Sequence, residues 1–191
     1  MITGRIDRLR QKYEIDVRWI AFPLHPETPE EGMSLEELFA GRGIDIPALL
    51  QHLKGIANEC GLPFGERQKT YNSRRAQVLG KWAESLGRGD EFHMAVFRGY
   101  FAEGLNIAKV SILSELVESV KLDAAEVERV LEEGVFEQPV DNDWTYSRAS
   151  GITAVPTFMA DRRVMVGAQP YEELEKLVLA AGARPSLSHD W

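Results

Sequence analysis

The side chains best equipped for chemistry in this chain are one cysteine, four histidines and two closely spaced aspartates. Cys60 is the single cysteine of 191 residues, so neither an internal disulfide nor a two-cysteine redox centre can form within the chain. It falls at the C-terminal end of a predicted helix, where the helix dipole disfavours a thiolate. Free cysteine is also among the most buried residue types, so Cys60 reads as a small core hydrophobe rather than a nucleophile. His52 and His93 fall on predicted helices, His93 on the surface beside the Phe92–Phe97 stripe, and His189 is in the tail. His25 lies in a loop between Pro23 and Pro26. No two histidines have metal-ligand spacing with further donors nearby, so no metal site is expected. Asp141 and Asp143 are two apart on a predicted helix and do not share a face, which favours a solvated surface over a general acid–base pair. No G-x-G-x-x-G, Walker or G-x-S-x-G sequence occurs, leaving nucleotide and α/β-hydrolase chemistry without support.

The elements that must position these residues follow from periodicity. Ile2, Ile6, Leu9 and Tyr13 recur at helical spacing, so the chain opens inside an amphipathic helix. Residues 15–22, Ile-Asp-Val-Arg-Trp-Ile-Ala-Phe, are rich in β-branched and aromatic types and predict a strand covered on both faces. Prolines 23, 26 and 29 and Gly32 then impose a loop. Ser34 and Glu37 have capping-box spacing for a short helix ended by Gly41 and Gly43, and Pro47 opens the next helix, with Gly61 as its stop. Residues 72–150 are helical throughout, with starts at Asn72 or Ser73, Asp90, near Asn106 and at Asp123, where Glu126 completes a capping-box spacing. Phe92, Val96 and Tyr100, flanked by Phe97 and Phe101, form a core stripe. The two apolar runs 155–160 and 163–166 are separated by Asp161-Arg162 and predict an antiparallel hairpin, after which Pro170 opens a last amphipathic helix. Residues 184–191 lack periodicity and read as a poorly ordered tail.

Composition bounds the function. With 44% hydrophobic and 27% charged residues the chain is a folded globular protein of one domain's size. Its net charge of −8 argues against a phosphate-backbone partner, and the clusters Arg5–Arg8–Arg10 and Arg74–Arg75 read as solvated helix faces. No run of about 18 apolar residues spans a membrane and no signal peptide is visible, so the chain reads as cytoplasmic.

Residues 151–158, Gly-Ile-Thr-Ala-Val-Pro-Thr-Phe, followed by Val166-Gly167-Ala168-Gln169-Pro170, closely resemble the C-terminal half of DsbA-family proteins. Among these, the FrnE-like group and the 2-hydroxychromene-2-carboxylate isomerases are most similar. Residues 19–26, Trp-Ile-Ala-Phe-Pro-Leu-His-Pro, resemble the family's second strand and the following loop, and residues 101–107 resemble the junction between its inserted helices. The resemblance implies an α/β, thioredoxin-like (DsbA-like) fold with a helical insertion, the first strand missing from this chain. Residues 1–33 and 135–183 would form the thioredoxin-like part, 34–134 the insertion and 184–191 a tail. It further implies that Pro156 is cis beside the active site and that Val155, Pro156 and Thr157 bind substrate through the free backbone of Val155. Phe22, Leu24 and His25 would line the site. Glutathione is the one small-molecule thiol it brings in; no other cofactor is implied. Family members carry Cys-x-x-Cys, or a lone Ser or Cys, at the N-terminus of the first helix, where the dipole stabilises a thiolate. Met1-Ile2-Thr3-Gly4-Arg5 aligns inside that helix, so the nucleophile would lie upstream of Met1 and the chain as given would be inactive.

Three functions compete. A thiol–disulfide oxidoreductase would act on a disulfide-containing polypeptide or small thiol. A glutathione-dependent isomerase or transferase would use one Ser or Cys to position glutathione. A non-catalytic binding or assembly protein would need neither. Without a first strand, the chain is expected either to form a homodimer that completes its sheet or to pair residues 17–22 directly with the hairpin.

Overall fold

The computed structural model describes residues 3–59 and 62–186. Ile2, Cys60, Gly61 and His189 therefore lie outside the described residues. In chain order the elements are helix α1 (Thr3–Lys12), strand β1 (Tyr13–Glu14), strand β2 (Met33–Ser34), helices α2 (Leu35–Leu38) and α3 (Ile46–Glu59), and strand β3 (Lys69–Thr70). Then come helices α4 (Arg74–Ser85), α5 (Gly89–Phe101), α6 (Val110–Ser119), α7 (Glu126–Glu133) and α8 (Glu137–Ala149), strands β4 (Thr157–Ala160) and β5 (Arg163–Val166), helix α9 (Tyr171–Ala180) and strand β6 (Arg184–Pro185).

Local chemistry sets many of these boundaries. Ser34 caps α2 with both halves of a capping box in place: its hydroxyl accepts from the Glu37 N–H, and the Glu37 carboxylate accepts from the Ser34 N–H. Asp123 does not cap α7. Its carboxylate instead accepts from the Ala125 N–H in a tight turn, and the helix starts three residues later. Asn106 behaves the same way toward Ala108, so α6 starts only at Val110.

Two apolar clusters result. The larger is drawn from α4 to α7 and includes Leu79, Phe92, Leu113, Val117 and Val127, all fully buried. The smaller joins Leu9 of α1, Tyr13, and Tyr171 and Leu174 of α9, with Phe158 and Met165 of the β4–β5 hairpin packed against it. A polar clasp closes the smaller cluster. Glu175 of α9 accepts from Lys12 at 2.7 Å, the Tyr13 hydroxyl at 2.9 Å and the Tyr171 hydroxyl at 3.0 Å. These three donors, Lys12 foremost, hold the Glu175 carboxyl at about 2, below its ordinary 4.5. A depressed carboxyl contributes stability that is fully present above its unfolded pKa and is lost as pH falls through the folded one. Urea-unfolding midpoints should therefore drop for this reason between about pH 4.5 and 2, and Glu175→Gln should flatten that part of the profile. An unchanged profile in the variant would sever the link.

Two expectations are corrected. The tail is not free at its start: β6 pairs antiparallel with β1, Tyr13 opposite Pro185 and Glu14 opposite Arg184. Residues 15–22 join no ladder, and they do not pair with the hairpin. A strand needs a neighbouring chain, and here side chains stand in for one. Arg10 donates to the Val17 carbonyl, Lys81 to that of Trp19 and Ser147 to that of Ala21, while the Ala21 N–H donates to Asp143. The alternate residues Asp16, Arg18 and Ile20 make no backbone hydrogen bond among the described residues.

Candidate functional site

The β4–β5 hairpin begins at Val155–Pro156, whose peptide bond is cis. Its two-residue connection fixes the register: Ala160 faces Arg163, Phe158 faces Met165, and the Gly167 N–H donates to the Pro156 carbonyl at 2.8 Å. The residues in between, Val155, Thr157 and Met159, turn their backbone groups to the other edge of β4, where no strand lies among the described residues. Thr157 stabilises the approach to that edge by donating from its hydroxyl to the Ala154 carbonyl at 2.7 Å. The hairpin face opposite the small core carries Met159, Val164 and Val166, each more than 40% exposed.

Helix α1 is tied to this loop. Its Arg5 guanidinium donates to the Gln169 carbonyl and, at 3.4 Å, to that of Ala168, immediately after Gly167. The first turn of α1 thus sits against the segment that hydrogen-bonds Pro156, and a side chain at Gly4 would meet nothing within 4 Å. A helix N-terminus favours an anion or a thiolate. Arg5, read in the sequence as part of a solvated basic face, is in fact the strut. Arg8 stacks over Tyr171 at 3.9 Å and Arg10 pairs with Asp90 at 2.6 Å, so that face too is occupied. The Arg74–Arg75 cluster is likewise engaged, Arg74 by Glu137 and Asp141 and Arg75 by Glu30.

Phe22, Leu24 and His25 belong to a second group. The Phe22 carbonyl accepts from Gln77 of α4 at 3.1 Å, and Asn72 donates to the Pro26 and Thr28 carbonyls, pinning the proline loop to the start of α4. Leu24 is half exposed. Burial and then the Arg42 charge hold His25 below the usual imidazole range. Among the described residues, no hydrogen bond or ring contact joins this group to Val155, Pro156 or Thr157.

The sequence reading missed a charged cluster. Asp143 of α8 is buried rather than solvated: it pairs with Lys81 at 2.8 Å and Arg18 at 3.4 Å, and accepts from the Ala21 N–H at 2.9 Å. Lys81 also pairs with Glu84 at 3.0 Å. The signal was present in Val140, Asp143 and Ser147, which share one helix face, all of it buried. His93 is half-buried rather than freely exposed, since it lies against the Trp19 ring at 5.3 Å and pairs with Glu84.

Residues 1–179 match the family model of the DSBA-like thioredoxin domain. A probable DsbA oxidoreductase from Streptomyces coelicolor is 26% identical with a TM-score of 0.84, over 93% of this chain and 82% of that one. A 2-hydroxychromene-2-carboxylate isomerase is similar in fold, with 22% identity and a TM-score of 0.72 over 94% of this chain and 86% of the isomerase. The Bacillus subtilis protein YwbO is 34% identical over 99 residues, which are 51% of this chain and 49% of YwbO. The chain thus matches about half the length of that curated relative.

Proposed function

From the premise that the chain belongs to the DsbA-like thioredoxin-domain family, we propose that it is the scaffold of a FrnE-like thiol–disulfide oxidoreductase. In this reading residues 1–33 and 135–183 form the thioredoxin-like part and 34–134 the inserted helices. The observation that carries it is the placement of the first turn of α1 near the Val155–Thr157 loop: Arg5 holds the Ala168 and Gln169 carbonyls, and the adjacent Gly167 N–H bonds Pro156. A thiolate at that helix N-terminus would attack a substrate disulfide, forming a mixed disulfide and expelling the other sulfur as a thiolate. The free backbone of Val155 would hold the substrate chain. The reacting dithiol is proposed to lie before α1, on residues upstream of Met1 that also supply a strand between Asp16–Ile20 and the open edge of β4. Those two edges are equally where a homodimer of the chain alone would complete its sheet. The working compartment in this reading is the cytoplasm.

The likeness in fold to an isomerase supports a second reading, in which a single Ser or Cys at the same helix positions glutathione. Insulin reduction by dithiothreitol separates the two. A form carrying the upstream in-frame codons should accelerate it, while the 191-residue chain should stay at the uncatalysed rate. If both stay at that rate, the oxidoreductase reading falls and glutathione binding becomes the discriminating assay.

A further inference from the structure

Away from the hairpin, the segment between α3 and β3 carries an arginine with no carboxylate partner among the described residues. Of the half-buried arginines, Arg10 pairs with Asp90, Arg74 with Glu137 and Asp141, Arg75 with Glu30 and Arg88 with Glu91. Arg67 is half-buried too, yet its one hydrogen bond runs from Nε to the Lys69 carbonyl at 3.3 Å, and no described carboxylate pairs with it. A partly desolvated guanidinium without an anion forgoes the charge-assisted, two-pronged contact it is shaped to make.

Its surroundings define what could supply that contact. The guanidinium lies over the Tyr100 ring at 4.7 Å and the Phe101 ring at 5.5 Å, and Phe64 stacks on Phe101 at 6.4 Å. A cavity of about 340 Å³ opens there, lined by Arg67, Lys69, Tyr71, Tyr100 and Gly104, with Glu66 and Glu103 at its walls. Glu103 is already held by Arg98 at 3.2 Å, which leaves Glu66 as the unpaired acid facing the cavity. With Glu103 taken by Arg98, the cavity keeps two cations, Arg67 and Lys69, against the single acid Glu66. Tyr71 and Tyr100 give the cavity an aromatic floor beside the guanidinium, which suits a ligand with a flat or apolar body and one carboxylate.

We propose that this cavity binds an organic carboxylate: Arg67 takes the two carboxylate oxygens, Lys69 adds a second charge and the Tyr71 and Tyr100 rings carry the body of the ligand. The site is independent of the thiol chemistry proposed above and is read out by binding alone. The probe is sodium benzoate, titrated into the full chain and followed by amide chemical shifts, with benzyl alcohol and acetate as partial mimics. Benzoate should shift the amides around residues 64–71 and 100–104, acetate should bind more weakly, and benzyl alcohol should leave these amides unmoved. Arg67→Ala should weaken benzoate at least about tenfold. Arg67→Lys should recover only part of that loss, since a lysine cannot make the bidentate contact. Glu66→Gln, which removes a like charge without touching the aromatic floor, should tighten binding. A dipeptide such as N-acetyl-Ala-Phe, compared with its C-terminal amide, then assigns the source of the carboxylate. Free-acid peptide binding tighter than benzoate points to a polypeptide end, and the reverse order points to a small metabolite. Benzoate binding that is absent, that maps elsewhere, or that is indifferent to Arg67→Lys and Glu66→Gln would overturn the proposal even if Arg67→Ala failed to fold.

Discussion

Replacing Asp143 with alanine should destabilise the protein by about 3 kcal/mol, since removing one partner of a buried ion pair costs about 3–5 kcal/mol and Glu84 still holds Lys81. The side chain is 3% exposed and that of Lys81 11%, so both charges are largely shielded from water. The Ala21 N–H would be orphaned as well. Asp143→Asn should cost less, because an amide oxygen can still accept from Ala21. The double replacement Lys81→Met, Asp143→Leu should recover much of the loss, as apolar substitution of a whole buried pair often does. Urea-unfolding midpoints at constant slope give all three values. An Asp143→Ala variant within about 0.5 kcal/mol of the parent, the usual range for exposed sites, would show that the pair does not form in solution.

Leu174→Ala is the second large effect, expected at about 2–5 kcal/mol for a buried leucine truncated in place. Leu174 is 1% exposed in a cluster of only four buried residues, so few neighbours can collapse into the void. The consequence is positional as well as energetic. The same cluster seats α1 against the hairpin, so the variant should loosen the Arg5 contact with the loop after Gly167, whereas an equal truncation at Leu113 should leave it intact. Near-ultraviolet circular dichroism of the tyrosines around Glu175 would register the difference, and equal spectra for the two variants would count against it.

What the sequence made legible was whatever depends on neighbours in the chain. The Ser34–Glu37 cap, the helical run from residue 74, the hairpin with its two-residue turn and the buried faces of α1 and α9 all follow from spacing over four or five residues. The strand over residues 15–22 was misread because β-branched and aromatic content reports a fit to a sheet, not the presence of a neighbour. The pairing of β1 with β6 was invisible because it joins the two ends of the chain. Asp143 was misjudged because its charge was weighed before its place on the Val140–Ser147 face. At the candidate site, the Val155–Thr157 loop was singled out through resemblance. The Arg5 strut could not be, since a carbonyl as partner leaves no trace in side-chain types.

The division into two apolar clusters also orders the events by which the chain reaches this state. The large cluster is assembled by helices adjacent in sequence, α4 with α5, α5 with α6 and α6 with α7, and such local contacts close quickly with little loop entropy to overcome. The small cluster needs Tyr13 to find Glu175, 162 residues away. It therefore belongs to the late side of the transition state: Leu113→Ala should slow refolding, while Leu174→Ala should chiefly speed unfolding.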